Sequence, residues 1–571
     1  MHVSQIVGDQ RNNKLFWRLI IAIFAFTRNH ANSSENDNEY FTSITGLEAL
    51  MNTEQTLLID LKDYVIKAKQ QINLLEKEIS KIAREHDLAS QNLESYLANP
   101  VNAYKLIKRL FVDWEVYEEQ IAEVINFFKL MDERRKNFQF PQLEDFDESA
   151  IALVRLQQTY QLTVPEIAAG KLNGIQYGYD MTWTDCLVLG RQLFHMQAYN
   201  QTKFWLKESV KRLQQEPDRL ELFPSDFLQE PTEYLIRLGD ADTALQLYKI
   251  IAKHKEDGRG SFKIKEMIQS SEILPNAAND NENIWKTPYH VSGRLCHIHF
   301  SIYGKFQMQK TAEFDIYQKL CRGEMTKTAR EQRDLRCFYV YENNGFSRLA
   351  PFKVEDLNLD PEVKIFHNIL SDETIEIIKQ LASPHLARST VVSREQARAA
   401  THNYRISKNS WLAYDSHPSV LRMLRDLHDI TGLDMKCSED LQVANYGLGG
   451  HYEPHVDFFP DPSYYPTNLP GVSGNRISTA IFYLSDVEQG GATAFPFLKL
   501  AVKPLKGSVL FWYNLHRSLH GDFRTRHGAC PVLKGSKWIG NVWTHEGGQE
   551  LIRPCALHQD HEISLPYEII K

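Results

Sequence analysis

Between Leu58 and Ile82 the apolar residues Leu58, Leu61, Val65, Ala68, Ile72, Leu75, Ile79 and Ile82 step by three and four alternately, with Lys and Glu on much of the remaining surface. That spacing draws one stripe along a helix, and the stripe needs a second helix to leave water. The cover is either another copy of the chain, through a coiled coil, or a helix of the same domain. From about Phe146 to Arg259 the pattern stays helical, and small residues recur at Gly190, Ala198, Gly239 and Ala244. A polar stretch from Asn276 to Asn283 reads as a linker. Beyond Leu349-Ala350-Pro351 a helix is predicted from Asp372 to Leu381. Short β-rich runs with glycine turns follow, among them residues 477–484 and 507–512, a pattern that suits a jelly roll. The chain is therefore expected to be multidomain α plus β. The divisions are a helical coiled-coil dimerisation domain at 32–145, a second helical unit at 146–259, a linker region at 260–350 and a β-domain at 351–571.

Within 146–259, Leu189-Gly190-x-x-Leu193-Phe194 with Ala198-Tyr199, and the run from Leu238 to Leu245, resemble tetratricopeptide helix pairs. A groove between such pairs suits a stiff proline-rich peptide. Tyr177, Tyr179, Tyr199, Phe204, Trp205 and Tyr234 supply either its contact area or core.

Composition narrows the classes. A length of 571 residues, 43% hydrophobic and 24% charged, allows three or four domains with a sizeable core. The formal charge of −8 argues against nucleic acid as a main partner. Arg11 and Lys14 precede an apolar run, residues 15–26, which reads as a secretory signal over 1–31 or, given Arg18 inside it, a signal anchor. Asn32 and Asn200 head glycosylation sequons, which matter only in a lumen. The terminal residues Pro566 to Lys571 hold no Lys-Asp-Glu-Leu type signal, so a lumenal enzyme would need a retained partner. None of the 7 cysteines forms Cys-x-x-Cys, which speaks against zinc or thioredoxin-like chemistry.

The candidate chemistry lies in the β-domain. His455-Val456-Asp457 and His527 offer two imidazoles and a carboxylate, a set that can take one face of an octahedral Fe(II) and leave the other to substrate and O₂. In an extended strand His455 and Asp457 share a face, and His527 must come from a distant strand. An H-x-D triplet alone occurs by chance in a chain with 21 His, but here Tyr446 and Gly447 to Gly450 lead into it. Arg526-His527 also stands ahead of Gly535-Ser536-Lys537-Trp538. A 2-oxoglutarate oxygenase needs a fixed cation for the far carboxylate of the keto acid. Lys537 takes that role if a strand pair and turn return it to the cavity; otherwise it is an exposed strand lysine.

These residues carry a resemblance. Tyr404-Arg405-Ile406-Ser407-Lys408, residues 442–447 and 452–457, Gly490 to Pro496, Leu510 to Asn514 and Thr525 to Trp538 resemble the alpha subunit of collagen-type prolyl 4-hydroxylases, over nearly the whole chain. The resemblance implies a double-stranded β-helix with Fe(II) on His455, Asp457 and His527 and the 2-oxoglutarate C5 carboxylate on Lys537. It suggests His545 near the C1 carboxylate, Tyr446 as a co-substrate contact, and Tyr452 and Trp543 lining a proline pocket, though each of these four also suits a packed core. Tyr199 and Tyr234 become candidate peptide contacts. Implied too are disulfides Cys321–Cys337 and Cys530–Cys555, with Cys186, Cys296 and Cys437 left as buried thiols. The implied reaction converts peptidyl proline to 4-hydroxyproline with O₂ and 2-oxoglutarate, releases succinate and CO₂, and uses ascorbate. The implied setting is an α₂β₂ tetramer with protein disulfide isomerase in the endoplasmic reticulum lumen. One departure stands out: the family's groove is tyrosine-rich, whereas Asn200, Glu233 and Ile236 stand here. Other readings are a lysyl or oxygen-sensing hydroxylase, which usually places Arg where Lys537 stands, a non-catalytic subunit binding proline-rich peptides, and a metal-binding jelly roll of hydrolase or isomerase chemistry.

Overall fold

The computed structural model describes residues 43–91, 130–131, 133–138, 143–177, 180–215, 228–254, 311–341, 345–389, 391–392, 399–400, 405–447, 449–461 and 473–556. The apolar run at 15–26, Asn32, Tyr179, the polar stretch at 276–283, Cys296, Tyr404, Leu448 and residues 566–571 lie outside the described residues. Among the described residues no helix is long and apolar enough to cross a membrane.

Helix α1 (Ile44–Gln91) runs 48 residues, roughly 70 Å at 1.5 Å per residue. Ser43 caps it, its Oγ accepting the Gly46 N–H at 3.2 Å. Much of the apolar stripe is open to solvent, with Leu58, Leu61, Val65, Ile72 and Ile79 between 41% and 63% exposed and Ala68, Leu75 and Ile82 half-buried. Helices α2 (Leu143–Tyr160), α3 (Val164–Ala168), α4 (Trp183–His195), α5 (Tyr199–Gln215), α6 (Gln229–Arg237) and α7 (Ala241–His254) follow. Capping boxes start α3 at Thr163 and Glu166 and α4 at Thr182 and Asp185. Gly190 lets α4 and α5 touch, because a Cβ there would meet the Leu206 side chain at 2.6 Å. Trp183, Leu187, Phe194, Leu206, Tyr234 and Leu247 close the core of these pairs.

The β-region has strands β1 (Cys337–Val340), β2 (Phe352–Leu359), β3 (Glu362–His367), β4 (Ala387–Arg388), β5 (Lys408–Leu412), β6 (Leu441–Tyr446), β7 (Tyr452–His455) and β8 (Arg476–Tyr483). It continues with β9 (Gln489–Gly490), β10 (Thr493–Phe495), β11 (Leu500–Val502), β12 (Val509–Tyr513), β13 (His527–Ala529), β14 (Val532–Lys534) and β15 (Lys537–His545). A nine-stranded sheet has the order β1-β2-β3-β12-β8-β15-β6-β5-β4, a four-stranded sheet the order β7-β13-β10-β11, and β9 pairs with β14. All of these pairings are antiparallel. Strand alternation divides β15 between two cores. Ile539 joins Tyr446, Tyr483, Phe495 and Trp512 between the sheets. Trp538 and Val542 face the layer that contains Ile375 and Met423.

The β-body begins before residue 351. Cys337-Phe338-Tyr339-Val340 pairs with β2 as an edge strand, and helix α8 (Ala312–Cys321) lays Phe314, Tyr317 and Leu320 against Ala492, Ala494 and Cys530. The Tyr317 hydroxyl donates to the Ala529 carbonyl at 2.7 Å. This brings the end of α8 beside β13 and corrects the expected disulfides: Cys321 is bonded to Cys530, with Cα atoms 5.5 Å apart. Cys337, on the edge strand, and Cys555, in the tail, are exposed free thiols, so neither Cys321–Cys337 nor Cys530–Cys555 forms.

Helix α2 is welded to this body. Glu148 meets Arg388 at 3.3 Å with both side chains buried, and the Tyr160 hydroxyl donates to the Pro531 carbonyl at 2.5 Å. At Gly449 (φ +57) a Cβ would lie 3.1 Å from the Ala152 carbonyl, so the loop into β7 lies flush on the helix.

Candidate metal and co-substrate site

Strand pairing brings the three expected ligands together. His455 on β7 is directly opposite His527 on β13, their rings 4.5 Å apart. The strand stops at His455, and Asp457 lies in the bend just past it. There its Oδ1 is 3.5 Å from His455 Nε2 and its Oδ2 is 3.6 Å from His527 Nε2. All three ligand atoms fall within 4.8 Å of one another. Each imidazole has its Nδ1 on a carbonyl, His455 on Glu453 at 2.8 Å and His527 on Thr525 at 3.1 Å. An Nδ1–H donated there leaves the Nε2 lone pair turned to the shared centre, as a metal ligand requires. Burial pushes the His527 imidazole down to about 4, so it is neutral near pH 7. Burial opposes the Asp457 charge, yet His527, His455 and Arg476 hold its carboxyl well below the usual range.

The carboxylate is aimed by side chains that no motif had marked. Trp512 Nε1 donates to Asn514 Oδ1 at 2.8 Å, Asn514 Nδ2 to Thr479 Oγ1 at 2.9 Å, and Thr479 Oγ1 to Asp457 Oδ2 at 2.8 Å. The Trp512 ring also stands edge-on to His527 at 4.6 Å. The one sequence signal was the run Leu510 to Asn514, quoted only as a resemblance.

Lys537 opens β15 opposite Tyr446 on β6, 1% exposed, with Nζ 5.2 Å from the Tyr446 ring centre. Among the described residues no carboxylate pairs with this ammonium, and burial pushes it down to about 7. Burial raises the Tyr446 phenol, Arg405 opposes that shift and the Asp457 charge adds to it.

The remaining candidates separate. Tyr452 stacks on His455 at 3.6 Å, and the Arg405 guanidinium lies 5.0 Å from the Tyr452 ring centre. Trp543 is 7% exposed, its indole N–H without a partner among the described residues, and Arg476 lies over its ring at 4.2 Å. His545 has both ring nitrogens engaged, on the Gly474 carbonyl at 2.9 Å and Glu439 Oε1 at 3.0 Å. Glu439 is also paired through two bonds with Arg476, whose Nη1 reaches the Asp457 carbonyl at 3.3 Å. In the helical unit Tyr234 is 5% exposed, stacked on Phe194 and hydrogen bonded to His195 and Glu230. Tyr199 is half-buried against the same ring. Trp205 is core, Phe204 is 58% exposed, and Tyr177 accepts from Gln489 of the β-body at 2.9 Å. A cavity of about 150 Å³ opens on His455 beside Glu313, Glu453 and Arg526. A second cavity, about 980 Å³, lies between the Cys321 to Cys337 segment and the strands around Gln489 and Leu500, and is lined by neither the ligands nor Lys537.

This geometry coincides with family matches. Residues 441–545 match the 2OG-Fe(II) oxygenase superfamily, and residues 43–174 match the N-terminal region of the prolyl 4-hydroxylase alpha-subunit. The barrel and its His-Asp-His set thus define a 2-oxoglutarate and Fe(II)-dependent dioxygenase. The chain is 37% identical to prolyl 4-hydroxylase subunit alpha-1 of Homo sapiens, over 91% of this chain and 96% of that one. It is 37% identical to subunit alpha-2 of Gallus gallus, over 90% and 95%, and 35% identical to subunit alpha-2 of Caenorhabditis elegans, over 91% and 94%. The chain belongs to the prolyl 4-hydroxylase alpha-subunit family.

Family membership implies iron and 2-oxoglutarate, and the residues fit both. The two Nε2 atoms and the ionised Asp457 form an N₂O set of the kind Fe(II) takes. A buried ammonium without an anion is costly alone and is relieved by a carboxylate.

Proposed function

We propose that this chain hydroxylates C4 of prolines in collagen-like or other proline-rich polypeptides, with O₂ as oxidant and ascorbate as the reductant that restores iron. The observation that carries the reading is the conjunction, in one barrel, of the His455, Asp457 and His527 set with a buried Lys537 that no carboxylate of the described residues pairs. Bound iron and 2-oxoglutarate would supply the oxidising chemistry through decarboxylation of the keto acid to succinate and CO₂. His455, Asp457 and His527 hold the metal, the Trp512-Asn514-Thr479 chain orients the carboxylate, and Lys537 anchors the co-substrate's C5 carboxylate with Tyr446 against it. The walls of Tyr483, Phe495 and Trp512 keep the cavity dry. Tyr452 and Trp543 flank the place where the proline ring enters.

The helical unit acts as a tetratricopeptide-like peptide groove. With Tyr234 and Trp205 spent on its core, Tyr199 and Phe204 supply the available rings, so affinity for polyproline is modest. The exposed stripe of α1 forms a coiled coil with a second copy, and a protein disulfide isomerase beta subunit completes an α₂β₂ assembly in the endoplasmic reticulum lumen. Support for that setting is the relatives' designation as alpha subunits and the disulfide itself.

The test is mass spectrometry of proline-containing peptides incubated with the assembled protein, iron and 2-oxoglutarate. One added oxygen on a proline is expected. Asp457→Ala should abolish peptide-stimulated release of CO₂, and an unchanged rate rejects the ligand assignment.

A further inference from the structure

Asn445 lies on β6 one residue before Tyr446, on the opposite face of the strand, and is fully buried. Its Oδ1 accepts the Ile44 N–H at 3.1 Å. Its Nδ2 donates to Ser536 Oγ at 3.3 Å and to the Lys537 carbonyl at 3.4 Å. Ser485 closes on the same backbone: its Oγ donates to the Ser536 carbonyl and accepts the Trp538 N–H, both at 2.8 Å. The peptide units around Lys537 are thus gripped by two side chains, Asn445 fully buried and Ser485 half-buried, and the Asn445 grip is completed by the first residue of α1. Lys537 projects from the first position of β15, where only one side of the residue continues into strand. A small tilt at its Cα is amplified along the long side chain at Nζ.

We propose that Asn445 is a positioning residue for Lys537, and that seating of the α1 N-terminus on Asn445 sets how tightly the 2-oxoglutarate carboxylate is held. This rests on Lys537 being the partner of that carboxylate. The Ile44 N–H is one of the free donors at the start of a helix and has no partner within α1. Proline is favoured at that position. Ile44→Pro therefore deletes the hydrogen bond while leaving the helix intact.

The full-length assembled protein is compared with Ile44→Pro, Asn445→Ala and Lys537→Ala. Co-substrate binding is read as the 2-oxoglutarate-dependent rise in Tm of the metal-loaded protein, and KM and kcat from peptide-stimulated CO₂ release. Ile44→Pro and Asn445→Ala should each weaken 2-oxoglutarate by about fivefold, the size of one neutral hydrogen bond, with kcat at saturating 2-oxoglutarate and the peptide KM unchanged. Placed in Lys537→Ala, they should add nothing. Wild-type 2-oxoglutarate affinity in Ile44→Pro overturns the inference, as does a parallel fall in kcat; if Asn445→Ala does not fold, Ile44→Pro decides alone. Wild-type affinity in Lys537→Ala overturns instead the role given to the lysine.

Discussion

Lys537 carries a charge whose cost depends on pH. Burial lowers it to about 7, so in the free protein the ammonium is the majority form below that value and the amine above it. The 2-oxoglutarate carboxylate pairs with the ammonium, so affinity should be level below about pH 7 and fall by up to about tenfold per unit above it, until the ligand itself holds the proton in place. Tm titrations with 2-oxoglutarate from acid to alkaline pH should show that break, and Lys537→Ala should lack it; an equal break in both forms removes Lys537 from the explanation. Because the folded value lies below the unfolded one, the unfolded chain binds more protons between about 7 and 10.5. The lysine's penalty on stability is therefore full below that window and relieved as pH rises through it. Thr479→Val cuts the chain that aims Asp457 and should lower Fe(II) affinity about 10- to 100-fold, measured by metal competition. An unchanged affinity would make Thr479 a packing residue. His455, Asp457 and His527 were legible because a short motif and a distant His bring charge-bearing side chains to one place, although Asp457 gets there through the bend past β7 and not by strand alternation. Thr479, Asn514, Glu439 and Arg476 were not, since a single polar residue in a strand has no spacing to give away the partner it meets across the sheet.

At the scale of elements, period told more than position. The three-and-four stepping of α1 predicted its helix and a stripe in need of a cover, much of which is exposed in the single chain; under the proposed coiled coil, Ile72→Asp combined with Ile79→Asp should turn a dimer into monomers in sedimentation, and an unchanged mass would assign the stripe another cover. The edges of α9 (Asp372–Ala382) agree with the predicted helix because Ser371 caps its start, its Oγ accepting the Thr374 N–H. Cysteine pairing was misread for the opposite reason. The resemblance implied Cys321 with Cys337, but α8 lies across the second sheet and delivers Cys321 to Cys530 just past β13, a sequence separation of 209 that no local pattern encodes. The weld of α2 was equally invisible, since Glu148 and Arg388 are 240 residues apart. Arg388→Ala would leave Glu148 buried without its cation, and a loss of about 3–5 kcal/mol is expected, read from the denaturant midpoint. A loss below about 1 kcal/mol would mean that water reaches the carboxylate.

Across the whole molecule the N-terminal region grips the end of the barrel that carries Lys537. Ile44 reaches Asn445, Tyr160 reaches Pro531 just before β14, and Tyr177 reaches Gln489 on β9 and lies under Lys534 at 5.2 Å. Reading domains from the sequence pattern placed a boundary at 351, because the pattern changes there to a helix and short β-rich runs. The folded core ignores it: β1 extends the large sheet, α8 covers the small one, and Cys321 ties the two segments covalently. A fragment of residues 351–571 should therefore expose the apolar patch around Ala492 and Ala494, lose its disulfide partner and lack a cooperative melt. A fragment from 143 onward keeps α2, α8 and β1 and should unfold in one transition. Non-reducing peptide mapping of the full chain adds a covalent check, with Cys321 expected on the Cys530 peptide and Cys337 and Cys555 open to alkylation. A cooperative, Fe(II)-binding fragment of 351–571 would show that the earlier segments only lean on the barrel. Failure of that fragment alongside a well-folded one from 143 would make residues 143–350 part of the catalytic body, held to the Lys537 end of the barrel through Tyr160 and Tyr177.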